Sequence, residues 1–143
     1  MNRSRVTKQI ASHEGYRGRP YRDSEGVWTI GYGHNLDAQP LTRAECRFIL
    51  EADVARAVGD CARFIGPFAD LAEPRQEVLV DMMFNLGWPR LRMFVKMLAG
   101  ITAGDYDKAA NEMLDSKWAR QVKGRATYLA AIMRSGQYEE VKA

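Results

Sequence analysis

Glu14, Asp23 and Thr29 are residue types that can hydrolyse a glycosidic bond when they converge. That reaction needs one carboxylic acid still protonated near neutral pH to donate to the leaving oxygen, and a second group that handles water or the developing cation. Glu14 suits the first role. Val6 and Ile10 mark the buried stripe of a first helix, and continuing their spacing of four residues puts Glu14 on the same face. Desolvation there and the negative end of the helix dipole would both disfavour its charged form. Taken singly, each residue also has a plainer reading. Glu14 can be a last-turn carboxylate that reaches solvent, Asp23 can bond its own turn backbone, and Thr29 says only strand. The three together say more: a helix end, a hairpin turn and a returning strand follow one another with eight and five residues between them.

The elements that must position these groups are legible in the pattern. Ser4 can cap a helix running to about Glu14, and Gly15 stands where a left-handed C-terminal cap is expected. In PYRDSEGVWTIGYGHN, Asp, Ser and Gly separate two short aromatic and β-branched stretches, which predicts a hairpin with Asp23 at the turn and Trp28 to Ile30 on the returning strand. Gly31 and Gly33 flank Tyr32, predicting a bend or a close backbone approach. Thr42 to Glu45 forms a capping box that opens a helix from 42 to 64, with Cys46, Leu50, Val54, Ala57 and Cys61 at helical spacing. Beyond Pro67 the chain reads as helical. Pro74 to Leu86 has Val78, Leu79, Met82, Met83 and Leu86 as its core face, and shorter helices follow at Leu91 to Ala99, Asp105 to Leu114 and Gly124 to Arg134. A polar stretch around Trp118 separates the last two.

Composition narrows the class. The chain has 143 residues and a net charge of +3, ordinary for one domain and weakly in favour of an anionic partner. Lys117, Arg120, Lys123, Arg125 and Arg134 occur with no acidic residue between Asp115 and Glu139, a basic run suited to approaching an anionic wall. The amino-terminal run MNRSRVTKQIAS lacks the apolar core of a signal peptide, and no stretch is long enough to span a bilayer. The expectation is synthesis in a cytoplasm without stable membrane insertion. Cys46 and Cys61 would lie about 22 Å apart along one helix, too far for a disulfide, and both are expected to be reduced and structural. His13 and His34 are the only histidines and no cysteine pair has ligand spacing, so neither a metal nor a cofactor is expected.

The run from His13 to Asn35 resembles the signature of glycoside hydrolase family 24, the phage-type lysozymes, in which a Glu, an Asp and a Thr at this spacing form the catalytic triad. The correspondence runs through Glu14-Gly15, Tyr21-Arg22-Asp23 and Thr29-Ile30-Gly31-Tyr32-Gly33-His34. Met83 to Gly87, Ser116-Lys117-Trp118 and Gly124-Arg125-Ala126 also resemble family segments near the cleft. The resemblance implies an α+β, predominantly helical, two-lobed fold in a single domain. A small β-hairpin lobe would occupy about 15–45 and a long connecting helix about 42–64, with a helical lobe over about 65–143 that includes the N-terminal helix. It implies Asn35, Phe84, Asn85, Gln121 and Arg125 as saccharide-lining residues, and places His34 and Asp53 where they can pair. Two departures stand out. The stretch from Asn35 to Thr42 is much shorter than in the T-even phage members, and Asn85 and Val122 replace family residues of other types.

The implied activity is that of an endolysin, a peptidoglycan hydrolase cutting between N-acetylmuramic acid and N-acetylglucosamine. Its partner would be peptidoglycan and not nucleic acid. It would act as a monomer, released to the wall through a separate holin. A lytic transglycosylase needs no water-positioning pair, and the retention of Asp23 and Thr29 argues against it. A non-catalytic wall-binding or nucleic-acid-binding domain gives no reason for the triad spacing.

Overall fold

The computed structural model describes residues 1–139. Its elements, in chain order, are α1 (Arg3–Glu14), β1 (Arg17–Arg22), β2 (Trp28–Gly31), β3 (His34–Asn35), α2 (Arg43–Phe64), a 3-10 turn (Phe68–Asp70), α3 (Glu73–Leu86), α4 (Trp88–Leu91), α5 (Val95–Ala103), α6 (Tyr106–Leu114), α7 (Lys117–Val122) and α8 (Gly124–Ser135). The α+β, mainly helical class expected from the sequence is observed. The chain divides into two compact units, Met1–Ile49 and a second beginning at Leu50, and the division falls inside α2. The first unit contains α1, which the sequence reading groups with the helical lobe.

In the first unit an antiparallel sheet of order β1-β2-β3 pairs Tyr21 with Thr29 and Thr29 with Asn35, so Thr29 sits on the central strand. β3 adds a third strand to the expected hairpin, formed where the chain turns back at Tyr32 and Gly33. α1 is capped by Asn2, whose side chain accepts from the Arg5 amide at 2.9 Å, in place of Ser4. It contributes no buried residue: Val6 is half-buried and Ile10 exposed, against the expected buried stripe. Helical spacing settles which side chains share a face, and an apolar face is buried only where another element covers it.

The core lies in the second unit. Val78, Leu79, Met82, Met83 and Leu86 of α3 are buried as expected, together with Met97, Ile101, Met113, Leu129, Ile132 and Met133 from the helices that follow. α2 joins this core only from Ala57 onward, through Ala57 and Cys61, whereas Leu50 and Val54 are exposed. Cys46 is exposed too, so its expected structural burial is not found; Cys61 is fully buried and its thiol is pushed up to about 12, by desolvation first and then by the charge of Asp60. The polar stretch around Trp118 is a helix. Ser116 caps α7 by accepting from the Ala119 amide at 3.1 Å, and Trp118 is buried. Among the described residues no helix is long and apolar enough to cross a membrane.

The capping box opens α2 as read. The Glu45 carboxylate accepts from the Thr42 backbone N–H at 2.7 Å and its hydroxyl at 3.0 Å, and the Thr42 hydroxyl oxygen in turn accepts from the Glu45 amide at 3.2 Å. These bonds, led by the backbone one and assisted by the charge of His34, hold the Glu45 carboxyl below the usual carboxylate range. A carboxyl lowered in the folded state stabilises above its unfolded pKa, and the contribution is lost as pH falls through the folded value. Thermal melts should therefore show Glu45→Ala below the parent at neutral pH, with the gap closing on acidification. A gap independent of pH would assign Glu45 a packing role instead.

Candidate active site

Asp23 begins a tight turn whose geometry its own side chain enforces. Oδ1 accepts from the amides of Glu25 and Val27, each at 2.9 Å, while the Asp23 amide donates to the Val27 carbonyl at 3.0 Å. Gly26 closes the turn at φ +78°, a left-handed conformation that glycine adopts without steric cost, and donates to the Asp23 carbonyl at 3.0 Å. Both side-chain bonds land on Oδ1, and among the described residues no donor reaches Oδ2. Asp23 therefore shapes the turn with one carboxylate oxygen and keeps the other out of it.

Thr29 shares the same anchor. Its hydroxyl donates to the Val27 carbonyl at 2.9 Å, so its proton is engaged and its lone pairs remain to accept from another donor. At 4% exposure it is the one buried polar residue among those described. The Val27 peptide groups thus hold both side chains: the N–H fixes the Asp23 carboxylate, and the C=O takes the Thr29 hydroxyl proton.

Glu14 ends α1, and Gly15 turns the chain at φ +72° and ψ 165°, so its φ is positive as expected of a cap but its ψ lies outside the left-handed helical region. The Glu14 carboxyl rests against the backbone of Gly33 on the β2–β3 turn. A methyl group at Gly33 would lie 2.6 Å from Oε2 and 2.9 Å from Cδ. Glu14 is exposed, so the desolvation expected from an apolar α1 face is not supplied within this unit. The first unit thus brings the three predicted residues onto one sheet and its flanking helix end.

Asn35, paired with Thr29 across β2 and β3, spends its side-chain oxygen on the amides of Asp37 and Ala38, at 3.0 and 2.8 Å, which leaves its NH2 outside these bonds. The two residues of the expected His34–Asp53 pair each have a partner within their own unit. His34 Nε2 donates to the Gln39 carbonyl at 2.8 Å, and Asp53 pairs with Arg56 one turn further along α2.

In the second unit the predicted residues separate. Phe84 and Arg125 line one groove of about 520 Å³ with Leu50, Val54, Val58 and Asp81, and Arg125 donates to Asp81 at 2.7 Å. Gln121 lines another, over Trp118, Phe94 and Met97. Asn85 accepts from the Trp118 indole at 2.8 Å, which ties α3 to α7. Gly33 and Val27 are the site residues that sequence reasoning missed. Flanking glycines signalled a close approach without saying to what, whereas Val27 acts through backbone groups and leaves no signal in residue type.

A profile of the phage lysozyme family matches residues 11–136, which covers the whole triad. The chain belongs to the phage lysozyme family. The SAR-endolysin of Enterobacteria phage PA-2 is 31% identical over 80% of this chain and 71% of its own length. The endolysin of Acyrthosiphon pisum secondary endosymbiont phage 1 is 27% identical over 92% of this chain and 89% of its own. The pre-baseplate central spike protein of Enterobacteria phage T4 is 29% identical over 94% of this chain, which spans only 28% of that protein.

In this lysozyme-family site, the packing of Glu14 on Gly33 makes a paired substitution informative. Gly31 and Gly33 have almost the same positive φ, +69° and +72°, but only Gly33 has Glu14 where a side chain would go. Alanine at either position strains the backbone by about 1–2 kcal/mol. The two variants should melt at similar temperatures, while Gly33→Ala loses at least ten times more lytic activity than Gly31→Ala in a turbidity assay on permeabilised cells. Equal activities would show that the carboxyl does not depend on Gly33.

Proposed function

We propose that the chain cleaves the β-1,4 bond between N-acetylmuramic acid and N-acetylglucosamine, with Glu14 as general acid and Asp23 and Thr29 holding the attacking water. Its class follows from the family: it is a peptidoglycan-degrading glycoside hydrolase of the lysozyme type. The residue roles are the proposal, and the observation that carries them is the shared attachment of Asp23 and Thr29 to Val27, with Glu14 seated on the same sheet at Gly33.

In the proposed sequence, protonated Glu14 donates to the glycosidic oxygen as its bond to C1 breaks. A water attacks C1 from the opposite face, giving one proton to Asp23 Oδ2 while its other O–H donates to the Thr29 lone pairs. Glu14 finishes as carboxylate and Asp23 as acid, and exchange with solvent resets both. A glycan lying across the exposed Glu14 would exclude water from it, supplying on binding the desolvation that the free unit lacks. Asn35, Phe84, Asn85, Gln121 and Arg125 are proposed sugar contacts, each from its own place on the surface, with Asn85 held by its bond to the Trp118 indole. The partner is the peptidoglycan strand and not nucleic acid. We place the chain as a monomer in lysis of a host bacterium, made in its cytoplasm and reaching the wall through a separate holin.

Glu14→Gln should retain less than a few per cent of lytic activity and melt no lower than the parent, because the amide keeps the shape and cannot donate the proton the leaving group needs. Substantial residual activity would remove Glu14 from the acid role, and a large drop in melting temperature would make it structural.

Stereochemistry tests the second half of the mechanism. Asp23 has a short side chain with one oxygen already bound to its turn, and the Thr29 hydroxyl is set to hold a water, an arrangement suited to inversion and to a carboxyl separation of roughly 6.5–9.5 Å in the substrate complex. Proton NMR of the first-formed reducing end should show the α-anomer. A β-anomer would mean a covalent intermediate, and an anhydro product would mean transglycosylation.

A further inference from the structure

Two tyrosine rings lie beside the candidate acid and have no part in the mechanism above. Tyr16 follows Gly15 immediately after Glu14, and Tyr32 precedes Gly33, the residue on which the Glu14 carboxyl rests. Successive Cα atoms are about 3.8 Å apart, so each tyrosine backbone lies within about 8 Å of one side of the Glu14–Gly33 contact. The rings meet, with centroids 5.5 Å apart and planes tilted by 48°. Both are nevertheless largely exposed, Tyr16 at 70% and Tyr32 at 55%.

The Tyr16 hydroxyl reaches back over Gly18 on β1, where a methyl group would come within 2.6 Å of it, so the bare backbone of Gly18 leaves room for this ring position. Two tyrosine rings held against each other and open to solvent present an apolar face with polar tips, the kind of surface that suits a ligand apolar on one side and wet on the other.

We propose that Tyr16 and Tyr32 form an aromatic platform on which a pyranose ring of the glycan strand stacks beside Glu14, an inference that rests on the proposed role of Glu14 and deepens it. The chemistry of the surface selects this occupant. Gly15, Tyr16, Gly31, Tyr32 and Gly33 carry no charge, and the nearest guanidinium in sequence, Arg17, is stacked on Tyr21 at 4.4 Å. An uncharged, disc-shaped ring with an apolar C–H face and polar edges matches two amphipathic tyrosines, which cover the face and leave the edges in water. A residue bound there lies next to the glycosidic oxygen that Glu14 protonates, so the platform would set where along the strand the cut falls.

The probe is glycan strand stripped of stem peptides by amidase, titrated into full-length protein carrying Glu14→Gln so that it is not consumed. In that background Tyr16→Ala and Tyr32→Ala should each weaken binding about tenfold or more, while Tyr16→Phe and Tyr32→Phe stay within about twofold, since the ring is what stacks. With Glu14 intact, the alanine variants should raise KM more than they lower kcat. In ring-labelled protein without tyrosine substitutions, the Tyr16 and Tyr32 ring resonances should move as glycan is added, a readout that needs no variant to fold. Alanine variants that bind as tightly as the parent, phenylalanine variants as weak as alanine, or unmoved ring resonances would each overturn the platform. If the unsubstituted protein cleaves the strand while these signals fail, the platform alone is wrong; if it neither binds nor cleaves, the reading of the site falls with it.

Discussion

The site depends on the backbone of one residue more than on any side chain. The Val27 N–H and C=O bind, respectively, the Asp23 carboxylate and the Thr29 hydroxyl, at 2.9 Å each, and the same carbonyl takes the Asp23 amide at 3.0 Å. A turn aspartate normally spends its side chain on its own backbone, which would make it useless for chemistry. Here both backbone bonds fall on a single oxygen, so satisfying the turn and presenting a base do not compete. The hydroxyl is handled the same way, its donor spent and its acceptors kept. Chemical polarity is thus fixed by local hydrogen bonding: each group can only accept, which is what the proposed water-holding role requires.

Glycine has the complementary task of leaving space. The β2–β3 turn passes through two positive-φ residues, and at Gly33 the missing side chain is where the Glu14 carboxyl lies. Backbone conformation and active-site geometry are therefore one constraint. Any L side chain at this position would strain the turn and displace the carboxyl together.

Much of this was legible in the residues, though unevenly. The capping box at Thr42 and Glu45, the hairpin turn at Asp23 and the core face of α3 each depend on neighbours within one turn, and sequence reports such neighbours directly. What failed depended on coverage. Ile10 has the spacing of a buried stripe but is exposed, as are Leu50 and Val54 of α2, and an apolar stripe carries no record of whether something lies against it. Trp118 was obscured in another way: a polar run looks like a connection, yet Ser116 at the cap and a buried indole bonded to Asn85 make it a helix anchored 33 residues away. Asn85, which the resemblance places at the sugar groove, is exposed and gives its side-chain oxygen to the indole.

These differences bear on what holds the candidate site in place. Thr29 is the only buried residue in the first unit, whereas the methionine-rich core of the second unit draws on nearly all of its helices. A unit with so little buried apolar surface gains little from packing, and segments of that kind open locally at low free-energy cost. Long-range contacts would be a poor means of aligning three catalytic groups under those conditions. The bonds that fix Asp23 and Thr29 instead span two to four residues, so they close within one turn of chain and re-form as soon as it does, with little loop entropy to repay. Glu14 is the exception, since it meets Gly33 of the β2–β3 turn, far from it in sequence, and has no such local tether. On this reasoning Asp23 and Thr29 are preorganised by the turn itself, whereas in the proposed mechanism the acid at Glu14 is completed only when substrate covers it.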